Sequence, residues 1–170
     1  MGFHQCASGL KWAVVLGAAL MMAACAKSPS DQGLAGGYGV AGGAGAATPG
    51  SAQDFTVNVG DRVFFDTDSS ELSATAQATL NKQARWLQQY AQYNFTIQGN
   101  ADERGTREYN FALGARRAET VKEYLIARGI SAARIHTISY GKERPVAVCN
   151  DISCWSQNRR AVTVLGGNPS

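Results

Sequence analysis

The stretch QGNADERGTREYNFALGARRAETVKEYL, residues 98–125, decides how this chain folds. It is predicted to contain the end of a β-strand, a polar turn and an amphipathic α-helix. At about 100° per residue, Leu113 and Val121 share the helix face that should be buried. Asn110 and Arg117 fall in the middle of the same face. Because a buried arginine is costly without a partner, this face predicts either an internal ion pair or a bound ligand.

Asp102 is the acid that the preceding turn could present to Arg117. A guanidinium fork matches a carboxylate, and an aspartate can bind an ammonium group. The two residues could therefore bind a small zwitterion, with its amine on Asp102 and its carboxylate on Arg117. A purely structural Asp–Arg pair explains the spacing equally well. Arg104 and Arg107, in the same region, could contact a binding partner, but each taken alone is expected only to solvate the turn.

Periodicity in the rest of the chain predicts a domain of β-α-β-α-β-β order. Ser73 should cap a first helix that runs to about Tyr90, and Thr106 should cap the second, which ends near Gly129. These elements predict an α+β fold, a two-layer α/β sandwich with the helices on one face of the sheet. Strands are predicted within residues 57–65, 93–98, 134–140 and 160–165, and a long loop with room for a short helical turn over residues 141–156.

Residues 1–24 are predicted to be a secretion signal that is not part of the fold. The apolar run from Trp12 to Met22 has 11 residues, whereas a spanning helix needs about 20. The small residues before Cys25 resemble the lipobox of bacterial lipoproteins, which implies that Cys25 is acylated. Ala26 follows in place of an aspartate, so the resemblance favours a lipid anchor on the periplasmic face of the outer membrane. An ordinary cleavage site beside an unmodified cysteine is the alternative.

Residues 25–52 are predicted to be a linker that follows the acylated cysteine. They are rich in Gly and Ala and contain too few large apolar groups to offset the entropy of ordering. A flexible coil of this length spans roughly 30 Å. The folded domain is predicted to occupy residues 53–170.

Cys149 and Cys154 enclose the segment CNDISC. In an oxidising compartment, two cysteines this close favour a disulfide. A zinc site is disfavoured because no histidine or further cysteine lies nearby in the sequence. Two free thiols are the alternative.

Several motifs occur in order between residues 63 and 165, and together they resemble the OmpA-like peptidoglycan-binding domain family. Within the deciding stretch the pattern is Asn110-x-x-Leu113-x-x-x-Arg117-Ala118-x-x-Val121. Elsewhere the motifs are Phe65-Asp66, Ser139-Tyr140-Gly141-Lys142-Glu143 and Asn158-Arg159-Arg160. The resemblance covers nearly the whole predicted domain.

The resemblance implies that Asp102 and Arg117 hold the diaminopimelate unit of the peptidoglycan stem peptide. It also implies that Thr106, Asn110 and Asp66 shape or line the pocket. The partners implied are peptidoglycan and the Tol system, notably periplasmic TolB.

Two residues depart from the family pattern. Asn100 stands where close relatives often have histidine, and Gly114 stands where the broader family often has serine. Asn100 can still form hydrogen bonds, so these departures bear on affinity more than on function. The segment CNDISC also varies from the pattern and could mark a subgroup.

The sequence offers little support for catalysis or nucleic-acid binding. Asp102 and Glu103 are neighbours in a turn and could not straddle a glycosidic bond. His136 is predicted to be a partly buried strand residue, not a base. Nucleic-acid binding usually needs a concentrated basic face, and a net charge of only +3 gives weak grounds for one. No enzyme activity, cofactor or metal is expected, and a module that binds only proteins is the remaining alternative.

Overall fold

The protein is described by a computed structural model that covers residues 47–166. The predicted signal, Cys25 and most of the predicted linker lie outside these residues. Within residues 47–166, no helix combines the length and the apolar character needed to cross a bilayer. The helices are α1 (Ala52–Asp54), α2 (Ala74–Gln89), α3 (Arg107–Ile126) and α4 (Ile152–Asn158), and the strands are β1 (Arg62–Phe64), β2 (Phe95–Asn100), β3 (Ile135–Gly141) and β4 (Arg160–Leu165).

The four strands form one mixed sheet in the order β1-β4-β2-β3. Strand β4 runs antiparallel to β1 and β2, whereas β2 and β3 are parallel. Alternate residues of β2, such as Phe95 and Ile97, are buried with apolar residues of both long helices, including Leu80 and Val121. The predicted α+β sandwich is therefore confirmed, with α2 and α3 on one face of the sheet.

Both long helices begin at the predicted caps. The Ser73 hydroxyl accepts a hydrogen bond from the Ala76 N–H at 3.2 Å, and the Thr106 hydroxyl accepts one from the Tyr109 N–H at 3.2 Å. Each bond satisfies a backbone donor that the first helical turn leaves free. Helix α3 is followed by Gly129, whose φ of +89° lies in the left-handed region that favours glycine.

Strand β2 extends two residues beyond its predicted end. Gly99 and Asn100 were expected in the turn, but Gly99 pairs with Ala161 of β4 and Asn100 pairs with Gly141 of β3. Pairing with the neighbouring strands overrides the weak strand propensity of these two residues. The extension carries Asn100 to the start of helix α3, where the candidate site is built.

The strand predicted within residues 57–65 is present as β1, whereas the segment before it forms helical turns that the sequence did not predict. After α1, the chain continues as a π-helix over Phe55–Gly60. Asp54 anchors this segment, because its carboxylate accepts from Trp86 Nε1 at 2.8 Å and from the Gly50 N–H at 2.9 Å. Ordered contacts thus begin before Gln53, the first residue of the predicted domain.

Helix α4 begins within the predicted loop, and the predicted disulfide joins Cys154 of this helix to Cys149, which precedes it. The Asp151 carboxylate caps the helix by accepting from the Ser153 N–H at 2.8 Å. Cys154 therefore sits in the first turn of α4, and the disulfide ties that turn to the preceding loop. His136, by contrast, is exposed on β3 and not partly buried as predicted.

Reducing the Cys149–Cys154 disulfide is expected to lower the free energy of unfolding by about 2 kcal/mol at most, because the closed loop is short. Urea denaturation with and without a reductant measures this difference. Thiol titration of the denatured protein should find two further thiols after reduction. A double variant, Cys149→Ser with Cys154→Ser, is the control and should not respond to reductant. A loss well above 3 kcal/mol would mean that the loop stabilises the fold in another way.

Candidate ligand-binding site

A pocket of about 240 Å³ opens between the β2–α3 turn, the first half of α3 and the loop after β1. Three of the predicted site residues line it: Asp102, Asn110 and Arg117. The pocket is also lined by residues that the sequence did not single out as ligand-binding, namely Thr67, Asp68, Arg104, Gly105, Tyr109 and Leu113.

Arg117 is fully buried, with 0% exposure, and its guanidinium is held by backbone oxygens. Nε donates to the Ser69 carbonyl at 2.8 Å, Nη1 to the Asn100 carbonyl at 2.8 Å and Nη2 to the Asp66 carbonyl at 3.0 Å. Its Cζ also lies 5.1 Å from the centre of the Phe65 ring. Three carbonyl oxygens thus hold this arginine in place without an acidic side chain bonded to it.

Arg117 remains a cation at neutral pH despite this burial. Desolvation, with repulsion from nearby Arg159, lowers the pKa of Arg117 to about 10. A guanidinium has five N–H donors, so two remain beyond the three bonds to carbonyls. A charged fork with spare donors on the wall of a pocket is suited to an anionic group.

Asp102 is buried and pairs with two other arginines, not with Arg117. Oδ2 accepts from Arg104 Nη2 at 2.7 Å and from Arg159 Nη1 at 3.3 Å. Oδ1 accepts from the Arg104 backbone N–H at 3.2 Å and from Arg104 Nε at 3.3 Å. The alternative of a structural Asp102–Arg117 pair is thus wrong, and so is the expectation that Arg104 is merely solvated.

The environment of Asp102 favours its ionised form. Burial acts in the opposite direction, but hydrogen bonds from Arg104 and Arg159 outweigh it and hold the pKa of Asp102 below its usual range. A carboxylate whose pKa falls on folding contributes stability above its unfolded pKa, and loses that contribution as the pH falls through its folded pKa.

The difference in unfolding free energy between wild type and Asp102→Asn is therefore expected to shrink as the pH falls. This difference should be largest above about pH 4, the unfolded pKa of an aspartate. It should shrink as the pH falls further, through the lower pKa of Asp102 in the folded protein. Urea denaturation of both proteins from pH 6 to pH 2 measures the difference. A gap that stays constant over this range would show that the charge of Asp102 does not stabilise the fold.

The remaining predicted residues have different positions around the pocket. Asn110 is buried, and its Nδ2 donates to the Arg104 carbonyl at 2.6 Å, which fixes the turn against α3. Thr106 is exposed and caps α3 beside the pocket without lining it. Asp66 contributes its carbonyl to Arg117, while its exposed side chain faces a neighbouring groove with Arg159.

The rim of the pocket is closed by a pair that sequence reasoning missed. The Tyr109 hydroxyl donates to the Asp68 carboxylate, which joins the start of α3 to the loop after β1. This bond raises the pKa of Tyr109. The sequence could have indicated Asp68 through its position alone, because it follows the predicted site residue Asp66 by two residues.

This fold and pocket define a class of protein. Residues 64–159 match the OmpA family, and the chain belongs to that family. It is 66% identical over 148 residues to a peptidoglycan-associated lipoprotein of Rhizobium meliloti (strain 1021), covering 87% of this chain and 83% of the relative. It is 64% identical to a relative of the same name from Agrobacterium fabrum, covering 88% and 84% of the two chains. Within the OmpA family, the chain therefore groups with the peptidoglycan-associated lipoproteins.

A solved structure agrees with this assignment. The crystal structure of the peptidoglycan-associated lipoprotein from Burkholderia pseudomallei superimposes with a TM-score of 0.64 at 41% identity. The match covers 68% of this chain and 100% of the solved chain.

Proposed function

We propose that this protein is an outer-membrane lipoprotein that binds the diaminopimelate-containing stem peptide of peptidoglycan without covalent chemistry. The observation that carries the proposal is that one pocket is lined by both a buried carboxylate, Asp102, and a buried guanidinium, Arg117. Diaminopimelate carries an amine and a carboxylate on the same carbon. Its amine would meet Asp102, and its carboxylate would meet the spare N–H groups of Arg117.

The anchor proposed for this function is the acylated Cys25. The linker over residues 25–52 would let the domain reach the cell wall from the periplasmic face of the outer membrane. The name of the relatives from Rhizobium meliloti and Agrobacterium fabrum supports this arrangement. The signal over residues 1–24 would direct the chain to the periplasm.

The protein would act within the Tol–Pal system, with TolB as a periplasmic partner and with roles in envelope integrity and cell division. This part of the proposal depends on the family resemblance alone. Co-purification of TolB with the full-length protein tests it, and failure to recover TolB from cross-linked cells would contradict it.

Sedimentation with purified diaminopimelate-type sacculi tests the binding function. Wild type should pellet, and Asp102→Asn should bind roughly tenfold more weakly or worse, because a charge-assisted bond is lost. Asp61→Asn is the matched control, since Asp61 also pairs with an arginine, Arg62, but precedes β1. Circular dichroism verifies that each variant is folded.

Two outcomes would contradict the proposal. Folded Asp102→Asn and Arg117→Ala variants that pellet like wild type would exclude the pocket as the binding site. They would favour instead a module that binds only proteins. Release of soluble fragments from the sacculi would show that the protein is a cell-wall hydrolase.

A further inference from the structure

The carboxylate of Asp102 has no free acceptor site in the described structure. A carboxylate offers about four lone-pair sites. The backbone N–H, Nε and Nη2 of Arg104 occupy three of them at 3.2, 3.3 and 2.7 Å, and Nη1 of Arg159 takes the fourth at 3.3 Å. An ammonium group that binds Asp102 must therefore displace one of these donors.

The side chain of Arg104 is the donor that can leave. It is 40% exposed, whereas the side chain of Arg159 is 8% exposed. Arg159 is also fixed by a second bond, from Nε to the Phe65 carbonyl at 3.0 Å. A ligand amine would consequently compete with the guanidinium of Arg104 for the same two oxygens.

Trp155 holds Arg104 in this position from the other side. The Cζ atom of Arg104 lies 4.1 Å from the centre of the indole ring, a distance at which a cation is attracted to the ring face. The indole Nε1 donates to Glu103 Oε1 at 2.5 Å, which orients the ring over the turn. Trp155 follows Cys154 in α4, so the disulfide fixes the helical turn that carries the ring.

We propose that Arg104, held over Asp102 by Trp155, acts as a filter that selects zwitterionic ligands and rejects simple amines. An amine that displaces Arg104 leaves the guanidinium without its carboxylate. A ligand carboxylate bound by Arg117 can also accept from the displaced Arg104, which lines the same pocket, whereas an amine alone offers Arg104 no acceptor. This inference rests on the proposed function and specifies its ligand chemistry: diaminopimelate stems are accepted, and lysine stems are disfavoured.

Isothermal titration of the oxidised protein with two synthetic tripeptides tests the filter. The probes are L-Ala-γ-D-Glu-meso-diaminopimelate and L-Ala-γ-D-Glu-L-Lys, and the readout is the ratio of their affinities. Arg104→Gln should bind the lysine tripeptide roughly tenfold more tightly than wild type, because the competing cation is gone. The affinity of Arg104→Gln for the diaminopimelate tripeptide should change less. The variant loses the cation that competes with the ligand amine, but it also loses a donor to the ligand carboxylate. The ratio of the two affinities should therefore move towards one.

Variants of Trp155 test whether the indole ring positions Arg104 or only stabilises the fold. Trp155→Ala should strengthen binding of the lysine tripeptide a few-fold, because Arg104 is held less firmly. Trp155→Phe retains a ring beneath the guanidinium and should restore most of the wild-type ratio. Arg107→Gln is the matched control, since Arg107 pairs with exposed Glu143 and does not contact Asp102.

The outcomes distinguish the filter from the binding function itself. If wild type binds neither tripeptide, the proposed function fails and the filter fails with it. If wild type binds the diaminopimelate tripeptide but folded Arg104→Gln gains no affinity for the lysine tripeptide, only the filter is overturned. Selectivity would then depend on Arg117 alone.

Discussion

Replacing Arg117 with alanine is expected to lower the free energy of unfolding by about 3 kcal/mol. The substitution removes the donor from three backbone carbonyls, and each orphaned buried acceptor costs roughly 1–3 kcal/mol. Recovery of the desolvation cost of the buried cation offsets part of that sum. The three carbonyls belong to Asp66, Ser69 and Asn100, so their loss should loosen the loop after β1 from the end of β2.

Urea denaturation at neutral pH measures this effect. Arg116→Ala is the matched control, because Arg116 is the exposed neighbour on α3, and its loss should cost less than about 0.5 kcal/mol. Arg117→Lys should be intermediate, since a single ammonium cannot reproduce a planar fork that reaches three carbonyls. Similar unfolding midpoints for Arg117→Ala and Arg116→Ala would show that the buried guanidinium is not a structural element.

The second large effect is expected at Gly99, where β2 and α3 are in direct backbone contact. A Cβ atom at this position would lie 1.8 Å from the Gly114 carbonyl oxygen and 3.2 Å from the Ala118 Cβ. Backbone cannot rotate away as a side chain can, so Gly99→Ala must push α3 off the sheet. We expect a loss of about 3 kcal/mol or more. Because α3 carries Arg117 and β2 leads to Asp102, binding to sacculi should be lost as well.

Gly166→Ala provides the control for this substitution. Its Cβ would lie 3.0 Å from the Asn94 carbonyl, after the end of β4, where the chain can adjust by a few tenths of an ångström. Thermal denaturation of the two variants should therefore give a much larger change for Gly99→Ala. Equal changes would contradict a tight β2–α3 contact.

The same contact explains why residue 114 is a glycine. A Cβ atom at Gly114 would lie 2.5 Å from Ser139 Oγ and 2.9 Å from the Gly99 carbonyl oxygen.

Local signals predicted the regular elements well. Ser73 and Thr106 cap the helices as expected, and β4 occupies the predicted residues 160–165. These features depend on capping, periodicity and glycine stops, which act within a few residues of the chain. Three of the five predicted site residues, Asp102, Asn110 and Arg117, line one pocket. Helical spacing alone places Asn110 and Arg117 on one face.

Arg104, the nearest partner of Asp102, lies two residues along the chain, but the other partners come from distant parts of it and could not be predicted. The carbonyls that hold Arg117 lie in the loop after β1 and at the end of β2, and the buried partner of Asp102 is Arg159. The helical segment over residues 52–60 was missed for the same reason, since Asp54 depends on Trp86 of α2. Spacing along a sequence shows which groups need partners, but only the tertiary fold supplies them.

The pocket lined by Asp102 and Arg117 is proposed to bind a diaminopimelate-containing peptide. An NMR titration of the ¹⁵N-labelled protein with the diaminopimelate tripeptide tests this binding residue by residue. Saturable shifts are expected in the amides of residues 100–110 and 66–69, and they should be lost in Asp102→Asn. Binding in this pocket would be contradicted by the absence of saturable shifts, or by shifts confined to other surfaces that persist in Asp102→Asn.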